Sequence, residues 1–551
     1  MRSLASLAFP GVVTPRVFAE RPTDDPATIA VVSTMSKPPQ DASVFASWDR
    51  LERWAPVLFV VLAFLFWGGR TLWDTSEARY GQAAFEMLHS GNWLLPQLAG
   101  KPHLTKPAFA YWCMAAGMKL FGVNAWGARF FLSVAFLATI GVVWQLAKAM
   151  GFDRRESLAA ALIYATSAVP FAAGHTLTTD GFLVLWETLG VLAAWQVWQG
   201  EAEHRALWRW VFWGAFGLAF LTKGPPGWLP FLAIGALLWR RRDAARPRLF
   251  APSGFLLFVV VSFLWYGLIV WHHPNLVEYF LKDEVYERVF TTVHQRNAPF
   301  WIYPPILLAG VGPWLVLWPW LARRVWRYRP GQGQRLADWQ LFLLLWVALP
   351  LVVFTISKSR MVFYVLPLFV PLSLALGRVL IDELLPRLSS RAGWRQAARG
   401  VVLLWVAMLI VFTGGLDTLS PNRSLRSAAL AFNEALAREP GSPQVYWLWA
   451  GHQRYSLGFY MERVIYDTDT LVTPAKPVPP PKAGSAGQPS PFYVTTEQGL
   501  AVIMAKSPSW APGARFRVLA KAQRYVLFAV TYPSLSSGPG RAGEPPVGRS
   551  L

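Results

Sequence analysis

The sequence predicts a mainly α-helical protein that crosses a membrane many times and ends in a small mixed α/β domain. Three observations carry this reading. The 551 residues are 54% hydrophobic and only 15% charged, against about 25% charged residues in average soluble proteins. The apolar residues come in long blocks separated by short basic loops, and mean hydropathy is +0.32. The 30 tryptophans supply material for aromatic belts at bilayer surfaces. Cys113 is the only cysteine, which excludes a disulfide-stapled fold and a cysteine-built zinc site.

Taken in order, residues 1–50 are polar and broken by Pro and Gly, and read as a disordered cytoplasmic tail. The run LASLAF there is too short for a signal-peptide core, and Met35 offers an alternative start. A spanning helix needs roughly 17–25 apolar residues. Eleven blocks fit that requirement: 54–69, 127–147, 157–173, 181–199, 207–222, 225–239, 254–271, 300–321, 339–356, 361–381 and 400–416. The segment 108–122 is shorter and carries Lys119, so it reads as an amphipathic helix lying on the membrane. From 417 to 535 the hydrophobic blocks give way to an α/β domain. RSLRSAALAFNEALARE has helical periodicity, while QVYWLW, PFYVTT and RYVLFAVTY read as strands. The Pro/Gly/Ser-rich stretch 473–490 reads as a flexible loop and 536–551 as a disordered tail.

The formal net charge of +21 is mostly a topology signal. With the N-terminus in the cytoplasm, inner loops collect Lys148, Arg154, Arg155, Arg240, Arg241, Arg242, Arg323, Arg324 and Arg327, followed by Arg387, Arg391, Arg395 and Arg399. The outer loop 272–299 instead mixes Lys282, Arg288 and Arg296 with Glu278, Asp283, Glu284 and Glu287. The same alternation puts the α/β domain outside. A nucleic-acid partner is not needed to account for the charge.

Charged residues nevertheless gather on the outer side. The first outer loop carries Asp74, Glu77, Arg79, Tyr80, Lys101, His103 and Lys106, a density suited to a reaction needing both a base and an anion clamp. Helix capping by Asp74 or Ser76 would also account for part of it. Asp180, Lys223, Arg288 and the SKSRMVFY turn, with Lys358, Arg360 and Tyr364, lie on four further outer segments. Capping, snorkelling and solvated ion pairs are the ordinary roles for such groups. Glu187 lies inside a span, where helix–helix hydrogen bonding competes with function. His103, His272 and His273 lack a recognised metal-ligand spacing.

The stretch WDTSEARYGQAAFEMLHSGNWLLPQLAGKPHLTKPAFAYW resembles the first outer loop of bacterial GT-C membrane glycosyltransferases. The nearest group is that of the lipid A aminoarabinose transferases, related to protein O-mannosyltransferases. LTTDGFLVLW, AFLTKGPPGWLP, EYFLKDEVYERVF and SKSRMVFYVLPLFVPLSLALGR follow in the same order, so the resemblance covers about 51–415. It implies a mainly α, polytopic fold of GT-C type with about 11–13 transmembrane helices and a small C-terminal extracytoplasmic α/β domain. The setting it implies is a bacterial inner membrane, and the donor a polyprenyl-phosphate-linked sugar.

By the same resemblance the essential acid is Asp74 or Glu77, with Asp180 a second important acid. Lys106 and Arg288 are expected to hold the carrier phosphate, and Arg79, Tyr80, Lys223 and Tyr364 to line the cavity. No cofactor is firmly implied, although a divalent cation is compatible. Thr105 stands where the family often has Glu, which weakens a metal site there.

These residue types suit displacement at an anomeric carbon. Preorganised cations stabilise a departing phosphate most in the transition state, and a carboxylate orients or deprotonates the acceptor. The expected acceptor is lipid A or another envelope glycolipid. The runner-up is transfer of a hexose to protein or glycan. A transporter of lipid-linked sugars should instead line a mid-membrane path with polar groups, yet Glu187 is the only clear acid deep in a span. A non-catalytic scaffold has no need of converging charges.

Overall fold

The computed structural model describes residues 42–65, 69–74, 76–240, 247–280, 298–327, 336–390, 392–441, 444–448, 454–467, 491–510 and 513–531. Arg288, most of the expected 1–50 tail, the 473–490 loop and the 536–551 tail lie outside them. Residues 42–50 depart from the expected disordered tail: they open helix α1 (Ala42–Phe64). The sequence between Ala42 and Ala55 has neither Pro nor Gly to stop a helix.

Then come α2 (Ser76–Ser90), α3 (Phe109–Phe121), α4 (Ala125–Ala149), α5 (Arg154–Thr166), α6 (Ala168–His175), α7 (Asp180–Gln199), α8 (Arg205–Lys223), α9 (Pro230–Arg240) and α10 (Pro252–His272). Their boundaries follow local chemistry. Asn124 caps α4 by accepting from the Gly127 N–H at 2.9 Å, and Asp153 and Glu156 close a reciprocal capping box on α5. The expected surface helix is the 13-residue α3, too short to cross a bilayer. It packs closely on α4 because Gly117 and Gly127 oppose each other, where a Cβ on Gly117 would collide with the Gly127 carbonyl.

The protein is embedded in the membrane through several apolar spans. Among the described residues, α4, α7, α10, Asp338–Ile356 and Val362–Arg387 are each long and apolar enough to cross alone. Counting the pairs bent by 59° (α5 with α6) and 97° (Phe300–Gly310 with Gly312–Arg327) gives up to seven. The eleven apolar blocks exceed this for physical reasons. Asp49, Arg50, Glu52 and Arg53 crowd the first half of α1, α8 carries Arg205 and Arg209, and α9 is only 11 residues long. The central helix is α7, with 83% of its span buried, whereas α10 buries 28% and turns Leu256 and Leu264 outward as lipid-facing surface.

The chain forms two compact units, one of residues up to 98 with 102–423, the other of 99–101 with residues from 424 onward. The boundary therefore falls at Ser424, not at 417, because Asp417 is bonded to Thr71 and Trp73 of the first unit.

The second unit is α/β, as expected. Its strands are β1 (Val445–Trp447), β2 (Ile465–Asp467), β3 (Phe492–Thr496), β4 (Arg515–Ala522) and β5 (Tyr525–Thr531), in the order β2-β1-β3-β5-β4. β1 runs parallel to β2 and β3, while β5 is antiparallel to β3 and β4. Phe432 and Leu436 of the helix Arg426–Leu436 pack with Trp447 and Leu527. Leu500 and Ile503 of the helix Glu497–Trp510 pack with Tyr493 and Phe528, so both faces of the sheet are covered.

Candidate active site

The first unit contains a node built around Glu77, near the start of α2. Glu77 is 2% exposed. The Arg70 guanidinium grips it with both terminal nitrogens, at 2.6 Å and 2.8 Å, and the Arg129 Nη2 donates to the Glu77 Oε1 at 2.9 Å. The Leu177 N–H donates to Oε1 at 2.7 Å and the Trp73 N–H to Oε2 at 3.3 Å. Burial on its own would raise the carboxyl, but Arg129 and Arg70, with the Leu177 N–H, bring it down to about 2. Arg129 also donates to the Arg70 and Thr71 carbonyls at 2.6 Å and 3.1 Å. Four chain segments thus meet on one carboxylate whose acceptor positions are filled.

A second buried centre lies at the start of α7. Asp180 and the Lys223 ammonium, which comes from the last residue of α8, form a close ion pair. The same ammonium lies 4.5 Å from the centroid of the Tyr364 ring, a cation–π contact. Leu177, whose N–H is held by Glu77, is three residues before Asp180, so the first node positions the turn that carries the second.

Lys223 and Tyr364 open onto a cavity of about 550 Å³, and Lys106, from the segment between α2 and α3, lines the same space. The remaining wall is largely aromatic and aliphatic, including Phe220, Trp228, Phe263 and Tyr266. Phe220 and Trp228 stack at 4.4 Å. The Lys106 ammonium donates to the Thr105 carbonyl at 2.7 Å. His103, bonded to the Thr105 hydroxyl at 2.9 Å, is held down to about 3 by burial and by the charges of Arg79 and Lys106. Its ring is therefore neutral at physiological pH.

Of the residues expected from sequence, Lys106, Lys223 and Tyr364 share the cavity and Asp180 backs it. Arg79 lies over the Tyr80 ring at 5.5 Å, and Tyr80 packs beside Tyr111 at 6.0 Å between centroids. The Asp74 side chain is buried, and its own N–H donates to the Arg423 carbonyl at 2.9 Å. Arg360 is turned away into carbonyls of Ala298 and Thr355 at 2.7 Å and 2.9 Å. His272 and His273 are exposed on the end of α10. Among the described residues no three His, Cys, Asp or Glu side chains gather as metal ligands.

Sequence reasoning passed over Arg70, Arg129 and Asp417. Arg129 left a usable signal, since an arginine inside the apolar block 127–147 needs a buried anion. Asp417 left none.

The solved structures with a similar fold include ArnT from Cupriavidus metallidurans bound to undecaprenyl phosphate. It superposes with a TM-score of 0.71 at 19% identity, over 90% of this chain and 100% of that one. Its apo state gives a TM-score of 0.67 at 21% identity, over 87% and 98%. The sequence profile of a family described as dolichyl-phosphate-mannose-protein mannosyltransferase matches residues 105–266. The chain thus shares the fold of the ArnT structures, and within it residues 105–266 are similar to the mannosyltransferase family.

Curated relatives are similar over part of their length. An undecaprenyl phosphate-alpha-4-amino-4-deoxy-L-arabinose arabinosyl transferase of Edwardsiella ictaluri is 31% identical over 66% of this chain and 64% of its own length. A transferase of the same name in Pseudomonas fluorescens is 31% identical over 63% and 60%. The chain thus spans a little under two thirds of the curated relatives it matches.

Proposed function

We propose that this protein is a glycosyltransferase of GT-C type that transfers a sugar from a polyprenyl-phosphate-linked donor to an acceptor on the extracytoplasmic side of a bacterial inner membrane. The acceptor we favour is lipid A or another envelope glycolipid. The observation that carries the reading is the cavity. Two lysines, Lys106 and Lys223, line an otherwise largely aromatic and aliphatic wall, which suits a ligand with an anionic head and a hydrocarbon tail. The names of the curated relatives, and the undecaprenyl phosphate in the ArnT structure, support a carrier of that kind. In this reading the N-terminus lies inside and the C-terminal α/β domain outside.

The reaction breaks the bond between the anomeric carbon and the carrier phosphate, whose oxygen keeps the electron pair. The acceptor oxygen forms the new bond from the opposite face, so the configuration inverts. Lys106 stabilises the charge that grows on the departing phosphate, and Arg288 is its proposed partner from the large outer loop. Lys223 holds a second positive charge at the wall, kept in place by Asp180 and Tyr364. Asp74 orients the acceptor and takes its proton when the acceptor is a hydroxyl. A phosphate acceptor arrives already deprotonated and needs positioning only. Asp74 suits this role better than Glu77, because a carboxylate saturated by donors and titrating near pH 2 is a poor base.

The test is transfer by the purified full chain, with an undecaprenyl-phosphate-linked aminoarabinose donor, lipid A acceptor and mass-spectrometric readout. Transfer should fall roughly 10²-fold or more in Lys106→Ala and in Asp74→Asn. Full activity in both variants would remove these residues from the site. Glycosylated protein in place of modified lipid would favour the second reading, hexose transfer to protein, to which the matching mannosyltransferase profile points.

A further inference from the structure

The segment that carries Asp74 is fastened by a part of the chain nearly 350 residues away, and the chemistry of that fastening is specific. Asp417 lies on the short helix Leu416–Leu419, just after the helix Ala392–Ile410. Its Oδ2 accepts the Thr71 N–H at 2.5 Å. Its Oδ1 accepts the Thr71 hydroxyl at 3.0 Å and the Trp73 indole N–H at 2.8 Å. Six residues later the Arg423 carbonyl accepts the Asp74 N–H at 2.9 Å. The guanidiniums of Arg70 and Arg423 both lie over the Trp73 ring, 4.7 Å and 5.5 Å from its centroid.

Residues 71, 73 and 74 are thus each held from the 417–423 segment, two of them by one carboxylate. Glu77 fixes the start of α2 from the other side through Arg70 and Arg129. A charged acceptor makes the Thr71 and Trp73 hydrogen bonds to Asp417 stronger than a neutral one would. Three donors converging on two oxygens also define an orientation, not merely a proximity. Placement matters to about an ångström for a group that acts on a reacting atom.

We propose that Asp417 is a positioning residue for transfer: it sets the location of Asp74 without touching either substrate. This rests on the proposed role of Asp74. Asparagine at 417 presents one acceptor oxygen and turns an N–H₂ group toward an N–H or O–H donor, so the clamp opens. Glutamate restores both oxygens on a longer arm.

The experiment uses the purified full chain in detergent, with the lipid-linked donor and lipid acceptor above. Wild type, Asp417→Asn, Asp417→Glu, Asp74→Asn and the double variant Asp74→Asn/Asp417→Asn are compared per mole of folded protein. The expected result for Asp417→Asn is a fall in kcat of roughly tenfold to hundredfold with the donor KM within about threefold, partly recovered in Asp417→Glu. In the Asp74→Asn background the second substitution should cost less than about twofold more.

A kcat within twofold of wild type in Asp417→Asn, or losses that multiply in the double variant, would overturn the proposal. If Asp417→Asn does not fold, Thr71→Val and Trp73→Phe remove one donor each. Each should lower kcat severalfold with the same split from KM, and wild-type kcat in both would equally overturn it. Wild-type protein that transfers no sugar would refute the proposed function itself, a result distinct from active wild type with an indifferent Asp417.

Discussion

Glu77 and Asp180 are both buried carboxylates paired with basic side chains, yet the two centres differ in what borders them. Around Glu77 two guanidiniums and two backbone N–H groups fill the acceptor positions, and the surroundings are chain segments that need holding together. Asp180 pairs instead with Lys223, whose ammonium also meets the Tyr364 ring and which lines a cavity. Charge and burial are shared. What separates them is whether a cation of the centre reaches space that a ligand can occupy. A closed node stabilises structure, while a centre at a cavity wall can respond to a ligand.

The largest expected effect breaks the closed node. Glu77→Gln keeps the shape but leaves Arg70 and Arg129 buried without a counter-charge, which should cost about 3–5 kcal/mol of stability. Thermal denaturation in detergent would read it as a clear drop in Tm, and an unchanged Tm would show that the node does not hold the fold. Titration gives the same contrast a second axis. The folded-state value of Glu77, about 2, lies below its usual 4.5. Its contribution to stability is therefore complete above about pH 4.5, declines as pH falls, and is gone by about pH 2. Wild type should lose stability over that window more steeply than Glu77→Gln, and parallel curves would contradict the assignment.

The open centre should answer differently. Lys223→Met removes the charge at the cavity wall and leaves Asp180 without its partner. A roughly 10²-fold loss in transfer is expected, about 2.7 kcal/mol in transition-state terms. Asp180→Asn should lose less, because Lys223 keeps its charge and the Tyr364 ring. Steady-state rates on folded protein decide this, and if Asp180→Asn proved the more damaging, Asp180 would have a role beyond holding Lys223.

Much of this was legible in the residues. The apolar blocks mark the helices to within a few positions: 127–147 became Ala125–Ala149 and 181–199 became Asp180–Gln199. Hydropathy works so well there because a membrane leaves the backbone no partner but itself. In the site, the sequence marked Lys106, Asp180, Lys223 and Tyr364, since polar groups between spans stand out against an apolar background. It could not separate Asp74 from Glu77, because the difference lies in donors supplied by Arg70, Arg129 and Leu177, up to 100 residues distant. Asp417 was invisible for the same reason, its partners being 344 and 346 residues away. The helical start at Ala42 was hidden by the Pro-rich stretch before it.

The smallest effect sharpens the contrast most finely. Tyr364 meets Lys223 through its ring face, and aromatic contacts with a cation are worth about 0.5–2 kcal/mol according to how far the cation is desolvated. Tyr364→Phe keeps that face and should change transfer by less than threefold. Tyr364→Leu removes it and should cost roughly threefold to thirtyfold, with the loss appearing in kcat because Lys223 remains present but less firmly placed. Equal losses in the two variants would mean that the hydroxyl, not the ring, matters, and Tyr364 would then be a direct hydrogen-bonding partner of the substrate instead of a support for the lysine.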